Sequence, residues 1–139
     1  MVVIQCVDNR NGILFNRRRQ SQDRLLRARI LSKLEGRRLW MNGYSYRQFQ
    51  KDTSTGQVIT VDAEFLSKAQ AGEVCFVEGL PLRPWLEHIE QVVLYRWNRD
   101  YPADTYLDLA LDAPSWSLVS REDFPGSSHP TITEEVYLP

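Results

Sequence analysis

The order of apolar and polar positions along the chain predicts short strands alternating with helices. Val2–Val7 (VVIQCV) is an apolar run rich in β-branched residues, and the turn set Asp8-Asn9-Arg10-Asn11-Gly12 ends it, so it reads as a strand. From Ser21 to Glu35 the spacing becomes helical: Leu26, Ile30 and Leu34 recur every fourth residue, and Leu25 and Leu31 widen the stripe. Ser21 reads as its N-cap and Gly36 as the residue just past its end. Extended structure returns over Arg37–Met41. Ser45 then reads as the cap of a short helix through Phe49, the polar run Lys51–Gly56 as a loop, Val58–Val61 as a strand, and Asp62 as the cap of a helix through Ala69.

The same alternation continues once and then turns mostly to strands. Val74–Val77 is a strand, Leu80–His88 a helix with prolines confined to its start, and Gln91–Trp97 another strand. Pro102–Asp104 is a turn, and Trp116–Arg121 and Thr131–Leu138 form an antiparallel pair around the loop Pro125-Gly126-Ser127-Ser128. This pattern predicts an α/β fold: a central mixed, mostly parallel sheet flanked by helices, with a C-terminal antiparallel hairpin. No internal repeat or low-complexity stretch interrupts it, so residues 1–139 are expected to form a single compact domain.

Composition narrows the functions. Apolar residues make up 42% and charged residues 25%, the balance of a globular chain able to bury a core. Seventeen Lys plus Arg against eighteen Asp plus Glu leave a net charge of −1, which argues against wholesale nucleic-acid binding. No apolar run reaches the length of a bilayer span and the N-terminus lacks signal-peptide order, so no membrane association is expected. Cys6 and Cys75 lie in apolar runs, as expected for buried free thiols in the reducing cytoplasm. With two histidines in no ligand spacing, a metal site is not expected. Walker, dinucleotide and nucleophile-elbow motifs are all absent.

Two stretches could carry chemistry. Asp23, read as lying in the first turn of the Ser21 helix, either helps start that helix or serves as a carboxylate at a pocket mouth beside the end of strand 2–7. Spacing leaves both roles open. Arg17-Arg18-Arg19 could grip phosphates, but a solvated face is the simpler reading in a chain of this net charge.

Taken in order, several short motifs resemble the dihydrofolate reductase family nearly from end to end. Val7-Asp8-x-x-x-Gly12-Ile13 is similar to that family's V-D-x-x-x-G-I/M entry to its flexible active-site loop. Leu39-Trp40-Met41-Asn42-Gly43-Tyr44-Ser45 resembles V-I-M-G-R-x-T, and Val74-Cys75-Phe76-Val77-Glu78-Gly79 resembles I-x-V-I-G-G. Ile89–Tyr95 followed by Ala103-Asp104-Thr105-Tyr106 is similar to the strand, turn and G-D-T-x-F block, with Trp116 and Val136-Tyr137 in the closing hairpin.

The resemblance implies a reductase that passes a hydride from NADPH to a pterin-like heterocycle. In that implied site Asp23 is the catalytic acid that also holds the substrate, with Ile4, Phe15 and Tyr95 around it. Gly12, Gly43, Ser45 and Gly79 would follow the cofactor. The chain departs from the pattern in telling places: Gly43 replaces the arginine that meets a cofactor phosphate, and Glu78 replaces the first glycine of the Gly-Gly pair. Arg17–Gln20 replaces L-P-W, Arg27 stands near an aromatic wall, Tyr95 replaces the threonine behind the acid, and the chain is short near 50–60. These departures predict an NADPH-dependent activity weakened or lost. The expected function is then a binding protein for a flat heterocycle or nucleotide in the crevice at Asp23. The alternative is a non-enzymatic adaptor, or a protein contacting nucleic acid through Arg17–Arg19.

Overall fold

The computed structural model describes residues 1–52 and 58–139, so the polar loop expected at 51–56 lies outside the described residues beyond Asp52. Seven strands form the main sheet: β1 (Val2–Val7), β4 (Leu39–Met41), β5 (Ile59–Val61), β6 (Val74–Phe76), β7 (Gln91–Arg96), β9 (Ser117–Phe124) and β10 (Ile132–Leu138). Their order is β5-β4-β6-β1-β7-β10-β9. The first five run parallel, and β10 pairs antiparallel with both β7 and β9. The α/β fold expected from the sequence, with a parallel heart and an antiparallel C-terminal hairpin, is the fold observed. A second sheet was not legible in the sequence: β2 (Gly12–Phe15) pairs with β3 (Arg18–Arg19) and with β8 (Thr105–Tyr106). Two- to four-residue strands are too short to show a period.

Strand β1 is central, paired with β6 and β7, and packed layers bury both of its faces, which is why its sequence is a continuous apolar run. Val2 and Ile4 face the layer containing helix α1 (Arg24–Ser32) and helix α2 (Gly43–Phe49), while Val3 and Val7 face the opposite layer. The expected stripe is in place, with Leu26, Ile30 and Leu34 each at most 3% exposed. Their burial contributes roughly 5–8 kcal/mol by area, an upper figure against an extended chain. On the opposite face, helix α3 (Phe65–Lys68) covers the sheet with Phe65 and Leu66, and Leu82 and Ile89, which flank a 3-10 turn at Arg83–His88, add to the same layer. Pro84 at the start of that turn permits it, as the sequence suggested.

All three cap assignments move, and at α3 the cap position falls to Glu64, with Asp62 Oδ1 accepting from Glu64 N at 2.7 Å. The cap of α1 is Asp23, not Ser21: its φ of −151° is extended and its carboxylate accepts from Leu26 N at 3.0 Å. The cap of α2 is Asn42, whose Oδ1 accepts from Ser45 N at 3.0 Å, so Ser45 lies inside the helix with its hydroxyl free for another partner. Cys75 is fully buried and burial pushes its thiol up to about 12, while Cys6 is only half-buried; both are free.

Gln5 breaks the core pattern. It alternates with Val3 and Val7, so its amide enters the same apolar layer, where it is fully buried and neither Oε1 nor Nε2 has a partner among the described residues. An unmet buried amide costs roughly 1–3 kcal/mol. Gln5→Leu is expected to raise the thermal midpoint by roughly 5 °C. A lower midpoint in a melting scan would show that the amide is satisfied by bound water.

Candidate functional site

The carboxyl ends of the parallel strands, where open α/β sheets present their crevices, bring Asp8, Asn42, Glu78 and Trp97 to one edge. Asp8 organises the turn after β1. Its Oδ1 accepts from Arg10 N at 2.8 Å and Gly12 N at 2.7 Å, and its Oδ2 accepts from Gln20 Nε2 at 2.9 Å. Gly12 is packed closely enough that a Cβ there would lie 2.6 Å from Asp8 Oδ2 and from the Ala103 Cβ.

Glu78 occupies the middle of the crevice. Arg19 Nε and Nη2 donate to its two oxygens at 3.0 Å each, the fork geometry that matches guanidinium to carboxylate. Ser45 Oγ donates to it at 2.8 Å and Gln48 Nε2 at 3.3 Å. Arg19 is itself clamped: its guanidinium lies 4.3 Å from the Tyr44 ring centre, Nη2 donates to Tyr44 O, and its backbone N donates to the Tyr44 hydroxyl. The pair ties β3 to the end of β6 and to α2. Gly79, at φ 76°, takes a left-handed backbone that favours glycine, and a Cβ there would press on the Leu14 side chain. Leu14 and Arg19 face each other across the β2–β3 hairpin, so one side of that hairpin fills the space above Glu78-Gly79.

Asp23 is 2% exposed and fully engaged. Oδ1 accepts from Leu26 N and Ser127 N at 3.0 Å, and Oδ2 from Ser128 N at 2.8 Å and Ser128 Oγ at 3.0 Å. Burial alone would raise this carboxyl, but the backbone N–H groups of Ser127, Ser128 and Leu26 outweigh it and hold the group far below the ordinary carboxylate range. The loop at 126–129 lies so close over the carboxylate that a Cβ on Gly126 would be 2.6 Å from Oδ2. Buried His129 completes the cluster. Its Nδ1 is 3.0 Å from Ser128 Oγ and 3.4 Å from Asp23 Oδ2, its Nε2 is 2.9 Å from the Tyr101 hydroxyl, and its ring stacks on Trp97 at 4.6 Å. A carboxylate can only accept, so an Nδ1–H faces Asp23, and Nε2 shares a hydrogen bond with the Tyr101 hydroxyl.

The residues expected to surround one substrate thus fall in three places. Ile4 and Tyr95 lie together on a cavity of about 110 Å³ beneath α1, with Ile30, Val93 and Glu134. Tyr95 donates to Glu134 Oε2 at 2.7 Å, not to Asp23. Burial would raise Glu134, but hydrogen bonds from Arg29, Lys33 and Tyr95 outweigh it and bring the carboxyl down to about 2. Asp23 docks the 126–129 loop, and Phe15, half-exposed, lines a separate hollow of about 310 Å³ at the mouth of the crevice with Arg18, Gln20, Tyr101 and Pro102. Of the expected cofactor set, Ser45 is buried against Glu78, Gly12 and Gly79 are covered by Asp8 and Leu14, and Gly43 is exposed with open space beside it. Arg27 is buried with its Nε on Asp52 at 3.0 Å.

Sequence reasoning missed Tyr44, Gln48, Tyr101 and His129. Their only local signals were a helix and two loops, because each finds its partner at least 25 residues away. Among the described residues no group of His, Cys, Asp and Glu is arranged to hold a metal ion, and no helix is long and apolar enough to cross a membrane.

No family model matches the chain, and no curated protein sequence matches it. Among solved structures it is similar to the dihydrofolate reductase from Enterococcus faecalis complexed with NADP(H) and RAB-propyl. The TM-score is 0.64 at 12% identity, covering 99% of this chain and 94% of that one. The fold is dihydrofolate reductase-like.

Proposed function

We propose that this chain is a binding domain for a flat heterocycle or nucleotide at the carboxyl edge of its sheet, and that NADPH-dependent reduction is weakened or lost. One observation carries the reading: Glu78, forked by Arg19 and held by Ser45 and Gln48, stands where the resemblance would run a dinucleotide. Leu14 fills the space above Gly79 that a cofactor would need, and Gly43 offers no cation for a phosphate. The residues present do not fit NADPH. The obstacle is occupancy more than repulsion, since Arg19 neutralises Glu78 at 3.0 Å. In this reading Asp23 is a positioning residue, its oxygens already met by its own chain, and it acts on the crevice through His129 and Tyr101.

The test is ligand-linked stabilisation with NADPH, NADP, dihydrofolate and an antifolate. A true ligand at a hundred times its Kd adds about 2.7 kcal/mol. NADPH is expected to produce no shift. Micromolar NADPH binding by calorimetry, with turnover of dihydrofolate, would overturn the proposal. The adaptor alternative loses ground because Arg19 is committed to Glu78, which leaves Arg17 and Arg18 as the exposed members of that patch.

A further inference from the structure

The other side of the β2–β3 hairpin has a use that the Glu78 contact does not absorb. Asn16 and Arg17 both have positive φ, 53° and 62°, so the strands are joined by a two-residue turn of the kind that fits their twist. Phe15 and Arg18 are therefore directly opposite and share a face, just as Leu14 and Arg19 share the inward one. Phe15 is 50% exposed. Arg18 is exposed and its guanidinium makes no hydrogen bond or ion pair among the described residues, whereas Arg19, beside it in sequence, is clamped on four atoms of Glu78 and Tyr44. An aromatic face and a free guanidinium thus stand side by side on the wall of the 310 Å³ hollow, with Tyr101 and Pro102 also lining it.

Gln20 lines the same hollow. Its Nε2 is committed to Asp8 Oδ2 at 2.9 Å, which fixes the orientation of the amide, since a carboxylate can only accept. Its Oε1 is buried and has no donor among the described residues. That orphan acceptor calls for an N–H. Tyr101 is held from behind by His129 Nε2 at 2.9 Å, and His129 by Trp97 and Asp23, so this wall is preorganised rather than loose.

We infer that this hollow binds a planar heterocycle carrying both an N–H donor and an anionic group, the chemistry of a nucleoside monophosphate or a ring carboxylate. The ring lies against Phe15 and Tyr101, the anion takes the Arg18 fork, and the ring N–H reaches in to the Gln20 oxygen, whose orientation Asp8 fixes. The inference rests on the binding reading above and names the ligand class of that edge.

Calorimetry on the full chain tests it, with the four common nucleoside 5′-monophosphates and orotate as probes. The corresponding nucleosides and inorganic phosphate serve as half-ligands. At least one probe is expected to bind, with each half-ligand weaker by roughly tenfold or more. Arg18→Gln should weaken the bound probe by roughly ten- to hundredfold, the scale of one charge-assisted fork, while Arg17→Gln changes it less than about twofold. Both side chains are exposed, so neither substitution threatens folding. A monophosphate bound without orotate identifies phosphate as the anion, and the converse identifies carboxylate. No probe bound at about 1 mM (a free energy near −4 kcal/mol), or equal losses from Arg17→Gln and Arg18→Gln, overturns the inference. A parallel NADPH titration separates it from the earlier reading: NADPH binding that ignores Arg18→Gln sinks the claim of a closed cofactor crevice and leaves the hollow to be judged by its own probes.

Discussion

Arg19→Met is expected to destabilise the chain by about 3 kcal/mol, because it strands the Glu78 carboxylate. That side chain is 8% exposed, and without the guanidinium only Ser45 and Gln48 remain as side-chain donors to it. The fork, the stacking on Tyr44 and the Nη2 hydrogen bond to Tyr44 O are lost together, while the backbone N–H of residue 19 keeps its bond to the Tyr44 hydroxyl. Adding Glu78→Gln should recover most of the loss, since removing both charges costs far less than removing one. Urea denaturation of the two single variants and the double variant measures the coupling. If the double variant is no more stable than Arg19→Met alone, the pair is not what holds the hairpin over the crevice.

Asp23→Ala should cost about as much. A lost N-cap is worth roughly 1 kcal/mol, and leaving the backbone N–H groups of Ser127 and Ser128 without an acceptor adds roughly 1–3 kcal/mol. The effect depends on pH in a defined direction. The Asp23 carboxyl is depressed in the folded chain, so its contribution is complete above the unfolded value of about 3.9 and is lost as pH falls toward the folded value. Glu134, brought down to about 2, adds loss of the same sign across the same acid range. Wild-type stability should therefore decline below about pH 4.5, and the gap between wild type and Asp23→Ala should narrow as it does. A gap that stays constant down to about pH 2 would show that the carboxylate's charge plays no part in docking the loop.

Much of this architecture could be read before any coordinates. The apolar run at 2–7 announced a strand buried on both faces, and the stripe of Leu26, Ile30 and Leu34 announced the face that α1 buries. The motif order pointed to the dihydrofolate reductase-like fold, although no single motif was specific. Helix starts were less legible. The sequence put the cap at Ser21 and Asp23 in the first turn, but the cap is Asp23, whose carboxylate also meets the Ser127 and Ser128 amides from across the chain.

What the sequence determined by itself is what depends on neighbours within a turn or a strand: periodicity, approximate element ends, and the kinds of side chain delivered to the sheet's carboxyl edge. What those side chains do there depends on pairs far apart in the chain. Arg17, Arg18 and Arg19 are indistinguishable as letters, yet β-pairing turns Arg19 inward to Glu78, 59 positions away, and Arg18 outward to an open hollow. Spacing left Asp23 open to two roles, helix start or pocket acid, because the donors that meet its oxygens lie 104 and 105 residues on. A charge is a local property of the sequence, whereas whether it is spent or available is decided by distance in the folded chain, because electrostatic and hydrogen-bond energies fall away within a few ångströms of contact.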